Sequence, residues 1–246
     1  MPDFRSLRDR LRGRSDRDEA TLTVTTSGPE PAVAPPHEGR LEVHGLDEVP
    51  EVHEVEHTSS VHESVDEERL HDLLREDPND ARLFGEMAAV VRRNAAEHTA
   101  GDVFRAEEVA VWALAEELAH DQRAWYPLVE LARLSLHDDR EGAIRRLGIA
   151  AERDPSGRAL LDGVVMLRGA GDPDGALSLG MGHWRPTEHP LQAGRELVSA
   201  AVDAGRLAEA RRHLDALGAH PDATGVAAMR RDLEKAVTAA ERARRG

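Results

Sequence analysis

From Ser64 to Arg244 apolar residues return every three or four positions, interrupted by short clusters of Gly, Pro, Asp and Asn. That spacing gathers them on one helix face, and the interruptions are stop signals, so the pattern predicts a run of helices. Ser64-Val65-Asp66-Glu67 has the form of a capping box. Leu70, Leu73 and Leu74 then supply a buried stripe, so a first helix is expected over 65–76. Helix pairs follow over 80–93 with 105–119, 123–136 with 141–153, 158–168 with 174–184, and 191–204 with 207–218. A last helix over 225–243 sets Val226, Met229, Leu233, Val237 and Ala240 on one face, with Arg230, Arg231 and Lys235 among the rest. It suits the cap of a helical array, whose outer face must be soluble.

The pattern is periodic. Ala110, Ala143, Ala176 and Ala210 recur at spacings of 33, 33 and 34 residues, each opening a segment of helical apolar spacing. Pro155, Pro190 and Pro221 close the segments. A period of about 34 residues, with a small residue opening the second helix of a pair, is the mark of a repeat array.

The residues resemble tetratricopeptide repeats. In that family the first helix carries an aromatic, then Leu and a small residue, then a large one; the second carries Ala, an apolar residue and Ala, with Pro after it. Asp77-Pro78-Asn79-Asp80-Ala81 looks like the family's entry turn, followed by Phe84, Met87, Ala88 and Val91. Trp125, Leu128 and Ala132, then Ala143, Leu147, Ala150 and Pro155, make the second unit. Gly171 to Ala176 and Gly205 to Ala210 keep the turn of the third and fourth. Departures are Leu161 in place of the aromatic, and Gly180 and His183 at apolar positions. About ten extra residues, from Asn94 to Arg105, either lengthen the first pair or form a loop.

The resemblance covers residues 79–221 and implies an all-α, right-handed solenoid over 64–246. Its repeats would span about 79–122, 123–155, 156–190 and 191–221, with a capping helix at 225–243. It also implies that first helices line a concave groove where a partner peptide lies. On that register Arg92 with Arg93, then Tyr126, Glu130 and Arg133, Asp162 and Met166, and Arg195 and Ser199 face inward. The arginines could hold a carboxylate bidentately and Tyr126 could stack. The Lys/Asn set of chaperone-binding relatives is absent.

Composition fits this picture. Aromatics are 3% of the 246 residues, too few for a large single core, whereas an array needs only Leu, Val and Ala between neighbouring helices. The net charge of −15 argues against nucleic acid as the main partner. Lys235 is the sole lysine among 32 basic residues, which reads as GC-rich, bacterial-type coding. No cysteine is present, so disulfides, thiolate nucleophiles and Cys-ligated zinc are excluded. No apolar run is long enough to span a bilayer or to serve as a signal peptide, and a cytoplasmic protein is expected.

Residues 1–63 are expected to be a disordered tail. Phe4, Leu7 and Leu11 form a stripe among Arg5, Arg8, Arg10, Arg12 and Arg14. Such a segment could lie on an anionic membrane or in a partner's groove. Three apolar residues bury little, and so short a helix is marginal alone, so a solvated tail is the expected state. From Leu41 to Glu68 there are ten acids and no Lys or Arg. His44, His53, His57 and His62 in that stretch invite a metal, but no second shell is visible to orient them, and a solvated acidic linker is expected.

Enzyme readings find little support. His120-Asp121 and His137-Asp138 superficially suggest a His-Asp metal phosphohydrolase, yet both fall at expected helix ends, where capping explains them. Gly169 to Gly175 follows a helix and lacks the lysine of a phosphate loop. Trp184 could be buried or offered to a partner. The expectation is a non-enzymatic scaffold or adaptor without cofactor, binding a protein or peptide. The alternatives are a membrane organiser held by residues 1–17 and a regulatory subunit of a partner enzyme.

Overall fold

The computed structural model describes residues 55–245, with side chains from Asp66 onward. The basic stripe at Phe4, Leu7 and Leu11, His44 and His53 lie outside the described residues. Chain contacts separate residues 1–55 from 56–246, and the second unit is described by itself. Among the described residues every regular element is helical, and no strand is present.

The helices are α1 (Val55–Glu76), α2 (Ala81–Glu97), α3 (Val103–Leu118), α4 (Tyr126–Ser135), α5 (Arg140–Arg153), α6 (Arg158–Gly169), α7 (Pro173–His183), α8 (Leu191–Asp203), α9 (Leu207–Ala216) and α10 (Ala223–Ala243). A 3-10 turn, Leu217–Ala219, precedes α10. α1 begins at Val55 and runs through Ser64, so the capping-box sequence there lies inside the helix. Among its residues from Asp66 onward Leu74 is buried, and Leu73 is 37% exposed.

α2 packs on α3, α4 on α5, α6 on α7 and α8 on α9. Short connections make such partners antiparallel neighbours. First helices also touch in succession, α4 with α6, α6 with α8 and α8 with α10, as do the second helices α5 and α7. The turns follow from named residues. Asp102, Asp139, Asp172 and Asp222 each accept a hydrogen bond from a backbone N–H three residues on, which caps α3, α5, α7 and α10. Gly171 and Gly205, both at positive φ, end α6 and α8. The N–H of Asp172 reaches Leu167 O and that of Arg206 reaches Ala201 O, the Schellman closure that favours glycine.

Ala143, Ala176 and Ala210 are the fourth residues of α5, α7 and α9 and are fully buried. Ala110 is the eighth residue of α3 and half-buried. The extra residues of the first pair therefore lengthen both helices, α2 to Glu97 and α3 back to Val103, leaving a short turn. That leaves Val103 and Phe104 exposed, Phe104 by 70%. Phe84, Ala88, Leu128 and Ala150 lie in the core as the repeat pattern requires, and Trp125 is half-buried. Pro155 and Pro221 sit in turns, but Pro190 stands directly before α8, and α7 has already ended at His183.

In the third unit Leu160 is fully buried, while Leu161 is only partly so. Gly163, Gly180 and Gly194 are packing positions. A Cβ on Gly180 would overlap Leu197 Cδ2, and one on Gly194 would meet Leu217 and Trp184. The apolar core forms two clusters, and Trp184 packs against both while meeting His213 edge-on at 5.6 Å. Trp184 is a seam of the core.

Candidate functional site

Each first helix buries residues at i, i+3 and i+4: Phe84, Met87 and Ala88; Leu128, Leu131 and Ala132; Leu160, Gly163 and Val164; Gly194, Leu197 and Val198. These triads fix a common register. Two residues before the first member of each triad stand Arg82, Tyr126, Arg158 and Gln192; two residues after that member, within the triad, stand Glu86, Glu130, Asp162 and Glu196. The first helices therefore carry a carboxylate at the same place four times.

Arg82, Tyr126 and Arg158, from three successive first helices, line one cavity of about 450 Å³ together with Asn79, Trp125 and Asp162. Its shape depends on Asn79. Trp125 supplies no side-chain cap to α4. Asn79 does so from the preceding unit: its Oδ1 accepts from the N–H of Trp125 at 2.7 Å and of Tyr126 at 3.0 Å. Its Nδ2 donates to Arg123 O at 2.9 Å. One amide thus satisfies two of the N–H groups that a helix start leaves unpaired. The ring of Tyr126 is held edge-to-face by Phe84 and Trp125, at 5.4 and 5.8 Å.

The charges here are unevenly balanced. Glu86 accepts from Arg82 at 2.6 Å, and Glu196 pairs with Arg168, which also holds Asp203 at 2.8 Å. Glu130 meets Arg133 at 3.4 Å. The carboxylate of Asp162 makes no hydrogen bond or ion pair within the described residues. Burial pushes its pKa above the ordinary carboxylate value, with Asp154 and Glu130 acting in the same direction against Arg158 and Arg133. Burial, with Glu130 beside it, also pushes the Tyr126 hydroxyl up to about 12, so it stays a protonated donor at neutral pH.

Tyr126, Glu130, Arg133 and Asp162 are therefore neighbours across α4 and α6. Met166 is half-buried and packs against the core. Arg92 is exposed and lines neither cavity; Arg93 lines a separate one, of about 580 Å³, between α1 and α2 with Asp66, Leu70 and Leu73. Arg195 is exposed and Ser199 half-buried on α8, and neither lines either cavity. Arg82, Glu86 and Arg158 are not singled out by the sequence reading, and Asn79 enters it only as part of the entry turn. The acid recurring two residues after the first member of each triad would have pointed to this face.

The His-Asp pairs sit in helix ends. His120 Nδ1 lies 2.8 Å from Glu116 O, and Asp121 pairs with Arg123 at 2.7 Å. The same turn is held by Arg153, whose Nη1 donates to Ala119 O, Asp121 O and Ala124 O at 3.0, 3.0 and 3.1 Å. His137 and Asp138 are exposed in the α4–α5 turn. Among the described residues no three His, Asp or Glu side chains are grouped to hold a metal ion. Nor is any described helix long and apolar enough to cross a membrane. Comparison of the chain with protein-family models, curated proteins and solved structures finds no match.

Proposed function

We propose that this chain is a non-enzymatic scaffold of tetratricopeptide-like helix pairs wound as a right-handed solenoid. Its first-helix face binds a segment of a partner protein. The observation that carries this reading is the cavity shared by Arg82, Tyr126 and Arg158, equivalent positions in three consecutive first helices. A surface built from one register position of successive repeats is what an extended segment meets residue by residue. Tyr126 and Trp125 give it an aromatic wall, and Asn79 fixes the backbone beneath. Aromatic and charged anchors of this kind carry most of the energy of protein interfaces.

The reading includes a cytoplasmic setting and no cofactor. Its test is affinity capture from the native lysate with the full chain and with Tyr126→Ala. A protein retained by the first and lost by the second supports the groove. Equal recovery removes it. A peripheral membrane organiser anchored through Phe4, Leu7 and Leu11 is the second reading, favoured by the arginines around that stripe. Equal sedimentation of the full chain and an Arg-to-Ala variant of residues 5–14 with anionic vesicles would dismiss it.

A further inference from the structure

We infer that the partner segment places an arginine in the cavity between α2, α4 and α6, stacked on the aromatic wall and forked onto the two carboxylate oxygens of Asp162. This rests on the groove reading and reverses the expectation of groove arginines gripping a partner's carboxylate. Three observations carry it. First, the carboxylates that recur within the buried triads are not equally served. Glu86 and Glu196 have arginines of their own, whereas Asp162 has no hydrogen bond or ion pair within the described residues. Second, the position is half-buried, so water neutralises it poorly; the raised pKa of Asp162 has that origin, and Arg158 and Arg133 do not overcome it. Third, Trp125 and Tyr126 line the same cavity.

A guanidinium matches this combination better than an ammonium. It is planar, stacks on aromatic rings, and offers paired N–H donors that a carboxylate accepts side by side. The chain already uses the arrangement elsewhere, with the Arg146 guanidinium 5.1 Å from the Trp112 ring centroid. Arg82 lines the cavity but is engaged by Glu86, which leaves the Arg158 charge as the main opposing one.

The test is fluorescence anisotropy of the full chain with a short labelled Gly/Ala peptide carrying arginines, against its counterpart carrying glutamates, at low salt. Asp162→Asn is compared with Glu152→Gln, which removes the same charge at an exposed acid on α5 that does not line the cavity. The arginine peptide is expected to bind, to weaken about tenfold in Asp162→Asn, and to keep its affinity in Glu152→Gln. Equal weakening in both variants means only the net charge is felt, and overturns the proposal. So does binding of the glutamate peptide with loss in Arg158→Ala, or binding of neither peptide. If a captured partner is lost with Tyr126→Ala but retained by Asp162→Asn, the groove stands and the arginine falls.

Discussion

Asp162 stands where function and stability pull apart. Its folded pKa lies above the ordinary carboxylate value, so the folded chain holds that proton more tightly than the unfolded one. Stability is then lost as pH rises from the unfolded value through the folded one, and at neutral pH the charged side chain opposes folding. Asp162→Asn is expected to raise the melting temperature at pH 7, with the advantage disappearing below the ordinary carboxylate range; thermal melts across pH check it. His189 has the opposite sign. It is 1% exposed and packed against Gly157, and burial followed by the Arg185 charge holds its pKa below the usual value, against Asp154 and Glu188. Its contribution is complete above about pH 6.5 and is lost as pH falls towards the folded value. His189→Gln should flatten that acid-side fall, leaving the part due to His213, which burial shifts in the same direction.

At the scale of elements, glycine has two different roles. Gly85 on α2 has open space around its missing Cβ, so Gly85→Ala should stabilise the helix by about 1 kcal/mol. Gly180 on α7 faces fully buried Leu197, and Gly180→Ala should destabilise by about 1–3 kcal/mol. Denaturant melts of the two variants decide it: equal shifts would mean that α7 and α8 are not closely packed. Asn79→Ala leaves the start of α4 uncapped, at a cost of about 1–2 kcal/mol, and should weaken partner binding by letting Tyr126 move. A loss of stability with unchanged binding would separate the cap from the groove.

These devices differ in how far the sequence discloses them. Helix spans and turns are local, written in apolar spacing and in Asp and Gly signals, and the structure places the helices from α2 to α10 close to their expected bounds. The start of α1 is not, because the Ser64 capping signal is overridden by a helix already running from Val55. Tyr126, Glu130 and Asp162 are legible as neighbours on one face, because the triads of α4 and α6 are plain. In α2 the register carried over from the repeat family falls on Arg92 and Arg93, ten and eleven residues beyond Arg82 and so off the shared position. Asn79 and Arg153 act on groups 29 to 47 residues away, which no local pattern announces. Nor does the departure at Gly180, or the open reading of Trp184, disclose that α7 meets α8 through small residues, with the indole filling the seam.

Over the whole molecule, neighbouring units are joined by arginines acting at about one repeat's distance. Arg140 reaches Asp172 at 3.0 Å, Arg168 reaches Asp203, Arg206 reaches Asp174 at 3.5 Å, and Arg211 reaches Glu241 at 2.9 Å. Exposed pairs each add little stability, so their consequence is the alignment of one unit on the next. An aligned array presents the same register position on every first helix, which is what the proposed groove requires. The most direct measurement is site-specific photo-crosslinking in cells, with a photoreactive amino acid in place of Arg82 or Arg158, and in place of Ile149, an exposed residue of the second helix α5. Crosslinks to the same protein from positions 82 and 158, and none from 149, are the predicted result. Crosslinks from 149 alone would place recognition on the other face and contradict the account.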